Sequence, residues 1–159
     1  MNELFALQKT LDDRILEEHG LRREDLFKEK ILALQVEMAE LANETRCFKY
    51  WSTKPASDRD VILEEYVDGL HFILSLGIDR GVTEDMPSPE TVPSSLTEAF
   101  LVLNKTISTF AEAKDHSTYQ SLFQSYLELG QALGFAQEET INAYREKNET
   151  NHQRQNEGY

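Results

Sequence analysis

Basic residues are scarce in this chain, and so are the residues that break helices. The 159 residues hold 16 Lys and Arg against 29 Asp and Glu, a formal net charge of −13. A surface that acidic repels nucleic acid and anionic membrane, which excludes nonspecific binding to either. An anionic ligand would have to arrive with a cation, and a divalent metal is the simplest one. There is one cysteine, Cys47, so no intrachain disulfide can form. That suits a reducing cytosol. No Cys/His arrangement accompanies it, and Cys47 reads as an inert small hydrophobe. No apolar run approaches the ~18 residues that would span a membrane. No basic stretch followed by an apolar core opens the chain, so no secretory signal is expected and the expected location is cytoplasmic. Only 7 Gly and 4 Pro occur, and Pro87, Pro89 and Pro93 fall close together. Most of the chain is therefore free to be helical, and no strand-like alternation persists beyond a few residues.

What is present is a globular composition, 40% apolar and 28% charged, with a length suited to one domain over 1–159. Leu4, Leu7, Leu11 and Ile15 fit a first helix ending at Gly20. A second is predicted from about Glu24 to about Phe48, interrupted by "WSTKPASD" with Pro55. A third, capped by Asp58 or Asp60, runs to Gly77. These core helices occupy about 2–78, and a loop follows at 79–94. Ser95 with Glu98 forms a capping-box pattern for a fourth helix, whose stripe is Phe100, Leu103, Ile107 and Phe110. Ser117 with Gln120 repeats the signal for a fifth, closed by Gly134. A sixth begins near Gln137. The expected fold is all-α, a bundle of about six helices around a central helix pair.

In "ILALQVEMAELANETRCFKYW" (31–51), the apolar stripe Ile31, Leu34, Met38 and Leu41 is bordered by Glu37, Glu40 and Glu44. Such like charges repel at helical spacing, and partial burial aggravates the repulsion. The third helix is apolar around most of its circumference, as a central helix is, yet it carries Glu65 and Asp68 with Glu64 beside them. Buried carboxylates require protonation, cations or metal. The two helices hold few basic residues, so the economical solution is a shared metal site. Glu37, Glu40, Glu65 and Asp68 then offer oxygen ligands to Mg²⁺, with Mn²⁺ a possible substitute, and leave positions open for phosphate and water. Near the C-terminus, Tyr144, Lys147, Asn151 and Arg154 share one helical stripe suited to phosphate oxygens. A frayed, solvated terminus is the plainer reading of that segment alone.

The paired acids resemble the metal motif of the all-α nucleoside triphosphate pyrophosphatases (the MazG-like superfamily). More narrowly, "LQKTLDDRI" (7–15), "EMAELANETRCFKYW" (37–51), "LEEYVDGLHFILSLG" (63–77) and "AYREKNETNHQRQNEGY" (143–159) resemble the dimeric dUTPases, in order and over nearly the whole chain. The resemblance implies Mg²⁺-dependent hydrolysis of dUTP, and of dUDP, to dUMP, which keeps uracil out of DNA and supplies thymidylate synthesis. It also implies a homodimer. It assigns Glu37, Glu40, Glu65 and Asp68 to metal, with Glu40 or Glu37 also serving the attacking water. Lys147, Asn151, Arg154 and Tyr144 are assigned to phosphates, and Gln8, Trp51, His71 and Phe72 to base and sugar. One departure stands out: where the family's first motif carries Asn, this chain has Asp12, and an ionised Asp cannot donate to a base carbonyl. Either Asp12 faces elsewhere or the base is read differently. Two alternatives therefore stay open. One is a sister pyrophosphatase acting on dCTP or another nucleotide. The other is a non-enzymatic acidic helical module binding a basic partner.

Overall fold

A computed structural model describes residues 2–82 and 86–158. It contains six α-helices: α1 (Asn2–His19), α2 (Phe27–Thr45), α3 (Arg59–Asp79), α4 (Leu96–Ala113), α5 (His116–Ala132) and α6 (Gln137–Asn156). No strand occurs among the described residues, so the all-α expectation holds. Part of the predicted 79–94 loop, residues 83–85, lies outside them.

The central element is α3, which touches α1, α2, α5 and α6. From Tyr66 to Ile78 every residue except Asp68 and Phe72 is buried. Those two are four apart and open onto a common side. The close approach of α5 depends on a glycine. A Cβ at Gly69 would collide with the Tyr126 hydroxyl, which donates to the Tyr66 carbonyl at 2.5 Å. In return the Tyr66 hydroxyl donates to the Tyr126 carbonyl at 3.0 Å, and the two rings stack with centroids 4.7 Å apart. Glycine inside a helix costs up to about 1 kcal/mol relative to alanine. Here it admits a stacked tyrosine pair beside Asp68.

α2 lies antiparallel to α3. Lys30 near its start reaches Asp79 at the end of α3, and Glu44 near its end accepts from Ser57, just before α3 begins. The helix starts later than its periodicity predicts. Residues Arg23–Asp25 form a 3₁₀ turn, and the α-helical bonding begins with Lys30 N–H to the Leu26 carbonyl. It also stops at Thr45 rather than Phe48, because Arg46 adopts φ 59° and takes the last carbonyls.

The fourth helix starts as predicted, with Ser95 accepting from the Glu98 N–H. The fifth is capped by Asp115, not Ser117, with its carboxylate accepting from the Thr118 N–H. α6 is not a frayed end. Its start is held by Arg59, which bonds Glu139 and the Gly134 carbonyl. Its far end is held by Arg14, which bonds the His152 carbonyl and Asn156.

Candidate functional site

A cleft of about 450 Å³ opens between α1, α2, α3 and α6. One end is acidic. Glu37 from α2 and Glu65 and Asp68 from α3 each bring a carboxylate oxygen within 4.8 Å of the others. Helical spacing explains why: i, i+3 acids on two antiparallel helices project toward the same seam. The third member of the predicted stripe, Glu44, accepts from Ser57.

The cluster is electrostatically unfavourable as it stands. Burial, then the charges of Asp68 and Glu40, push the Glu37 carboxyl up to about 7. Glu65 is likewise pushed up to about 7, again by burial first and then by Asp68 and Glu40. Oε2 of Glu37 and Oε2 of Glu65 are buried without a hydrogen-bond partner among the described residues. Buried polar atoms normally have partners, so two orphaned oxygens facing one point fit a divalent cation. Glu40 flanks both glutamates and is the exposed member of the set.

Cations come from α6. Lys147 Nζ lies 3.0 Å from Asp68 and 3.1 Å from Glu64. Burial nonetheless outweighs this pairing and raises the Asp68 carboxyl above its ordinary range. The sequence reading looks for partners of these acids only on α2 and α3 and gives Lys147 to phosphate, whereas the structure pairs this lysine with Asp68. Asn151 and Arg154, four and seven residues beyond Lys147 on α6, line the same cleft. Tyr144 does not join them on the surface. It is fully buried, and its hydroxyl donates to Gln8 Oε1 at 2.7 Å. The first residue of the predicted phosphate stripe is thus a core residue, because that position of α6 faces α1.

The middle of the cleft is an ordered polar chain. Gln8 Oε1 accepts from Tyr144 and, at 2.6 Å, from His71 Nδ1–H, while Gln8 Nε2 donates to Asp12 at 2.8 Å. Two donors on one amide oxygen fix the tautomer of His71. Its Nε2 is left as an acceptor, buried and without a partner among the described residues. Burial, with Lys147 nearby, pushes this imidazole down to about 3, so it is neutral. Its ring stacks on Tyr144 with centroids 4.3 Å apart. Phe72 lines the cleft beside it. Asp12 faces the cleft, and its second oxygen accepts from Ser75 at 2.7 Å.

Trp51 does not reach the cleft. It sits in the turn after α2, 64% exposed, packed edge-on against Phe48 and Tyr50. The early end of α2 carries it away from α1 and α3. Conversely, Lys30 and Ser75 line the cleft and were not singled out from sequence. Lys30 lies two helical turns before Glu37 on one face, a spacing that could have found it.

The comparisons with known proteins agree with this geometry. No curated protein matches the chain. A family model described as dUTPase matches residues 1–159. A metal-suited acidic seam on an all-helical scaffold, together with a family match over the whole chain, means that the chain belongs to the dimeric, all-α dUTPase family.

Proposed function

We propose that this dUTP diphosphatase acts with Mg²⁺, accepts dUDP as well as dUTP, releases dUMP, and works as a cytoplasmic homodimer. The observation that carries the reading is the convergence of Glu37, Glu65 and Asp68, with two orphaned oxygens, opposite Lys147. A divalent ion held by Glu37, Glu65 and Asp68, with Glu40 adjacent, supplies neutralisation of the triphosphate and acidification of a bound water.

The chain's own groups then have separate tasks. Lys147 exchanges its ion pair with Asp68 for a phosphate oxygen, and Asn151 and Arg154 grip the remaining oxygens. Glu40, solvent-facing, takes the proton of the attacking water, while the bond from the attacked phosphorus to the leaving phosphate breaks. The neutral His71 presents Nε2 as an acceptor to the nucleoside, and Phe72 packs on the sugar or base. Asp12 accepts from Gln8 and Ser75, and as a carboxylate it cannot donate to a base carbonyl.

The test is phosphate and pyrophosphate release from dUTP, dUDP, dCTP, dTTP and UTP, with Mg²⁺ and with EDTA. EDTA-sensitive turnover of dUTP and dUDP is expected. Turnover of another base alone would overturn the base assignment. No turnover at all would turn the seam into a binding surface.

A further inference from the structure

Lys30 has no task at the acidic end, yet it faces the cleft from its opposite end. It stands seven residues before Glu37 on α2, roughly 10 Å along the axis at 1.5 Å per residue. That is comparable to the reach from the α-phosphate of a nucleotide to the far edge of its base. Around it the cleft is lined by Leu11, Ile15, Leu26 and Ala33, an apolar wall suited to a flat ring.

Two polar side chains of this part of the cleft, Asp12 and Ser75, are paired with each other. Asp12 accepts from Gln8 and Ser75, and the Ser75 hydroxyl is used in doing so. Lys30 Nζ donates to both oxygens of Asp79, at 3.0 and 2.8 Å. An ammonium has three hydrogens, so one remains for the cleft. Nor does Asp79 depend on Lys30 alone, since Arg23 also bonds it at 3.2 Å. The Lys30 side chain is only 12% exposed, so its remaining donor acts where water competes poorly.

A pyrimidine joins its sugar through N1, and C4 lies directly across the ring. With phosphates at the acidic end, the base enters with C4 deepest. C4 is the position that separates uracil, a carbonyl acceptor, from cytosine, an amino donor. We propose that Lys30 is a specificity-determining residue that donates to the C4 carbonyl of the base and rejects a 4-amino group, the task that Asp12 cannot perform. This rests on the dUTPase reading of the same cleft.

The experiment compares the wild-type chain and Lys30→Met. The readouts are kcat/KM for dUTP and the inhibition constant of dCTP as a competitor. Lys30→Met should lose roughly 10- to 100-fold in kcat/KM for dUTP, the range for one hydrogen bond to a charged donor. The dCTP constant should change by less than about threefold, or tighten, because no donor-donor clash remains. The Mg²⁺-induced rise in Tm should persist. Equal weakening of both nucleotides would make Lys30 a structural partner of Asp79 and overturn the proposal. A second measurement avoids the variant. On the wild-type chain, 4-thio-dUTP, whose sulfur is a weak acceptor, should be turned over at least about tenfold less efficiently than 2-thio-dUTP. Equal turnover of the two would also overturn it. Failure of the dUTPase reading is distinguishable, since the wild-type chain would then not hydrolyse dUTP.

Discussion

At the residue scale, Glu37 and Glu65 tie metal to stability. Their carboxyls ionise near 7 in the fold and near the ordinary 4.5 when unfolded. Below 4.5 both states are protonated and the shifts have no effect. Between 4.5 and 7 the unfolded chain releases protons that the folded chain retains, so the metal-free protein loses stability as pH rises through that window. The loss is complete above 7. Calorimetry with EDTA should therefore show Tm falling from pH 4.5 to 7 by more than in excess Mg²⁺, because ligation favours the ionised carboxylates. A metal-free Tm that rises across this window would contradict the assigned cluster. Glu40 gives the complementary case. Glu40→Gln should lower kcat by about 10²-fold or more, the usual range for a lost general base. It should hold or raise the metal-free Tm, because a charge beside Glu37 and Glu65 is gone. Near-native kcat would remove Glu40 from the mechanism. The acids were legible in the sequence because carboxylates three apart in an apolar helix have few bland explanations. Ser75 and the true place of Tyr144 were not, because their contacts join α3 and α6 to α1 across the chain, and no local spacing encodes that.

Helix existence was largely written in apolar periodicity and turn residues, whereas helix ends were decided by competition. The α2 start lost its first turn to a 3₁₀ segment that lets Arg23 reach Asp13 and Asp79. The α5 start went to Asp115 because a carboxylate one residue before the helix outcompetes a serine inside it. The family resemblance assigns Trp51 to the base, but the left-handed Arg46 turns its segment aside. The α3–α5 contact is a testable consequence of element packing. Gly69→Ala would gain helix propensity of up to about 1 kcal/mol but force a methyl group into the Tyr126 hydroxyl, and overpacking costs about 1–3 kcal/mol. The net expectation is a Tm lower by roughly 3–8 °C, measured by calorimetry. In a Tyr126→Phe background the same change should cost less, because the hydroxyl is gone. An equal cost in both backgrounds would locate the strain elsewhere.

For the whole molecule, charge constrains assembly. Two copies carrying −13 each repel, so a homodimer must form through a face poor in carboxylates and rich in apolar area. The grooves along the seam of α2 and α4 meet both conditions. Its two grooves, one between Phe27 and Lys114 and one between Met38 and Asn104, are lined by no acidic residue. Leu32 and Leu101 stand on it 61% and 60% exposed, with Val36 close by on α2. The family is the dimeric type, and the homodimer proposed above would seat a second copy on this face. Glu37 lies five residues after Leu32, more than a third of a turn around α2 from it, so dimerisation through Leu32 would leave the cleft open to nucleotide. Sedimentation equilibrium of the wild-type chain should give twice 18.3 kDa. The double variant Leu32→Glu with Leu101→Glu would place four carboxylates in an isologous contact and should shift the mass to one chain, with the helical circular dichroism unchanged. A variant that stays dimeric would move the interface to another face, and a monomeric wild type would remove it altogether.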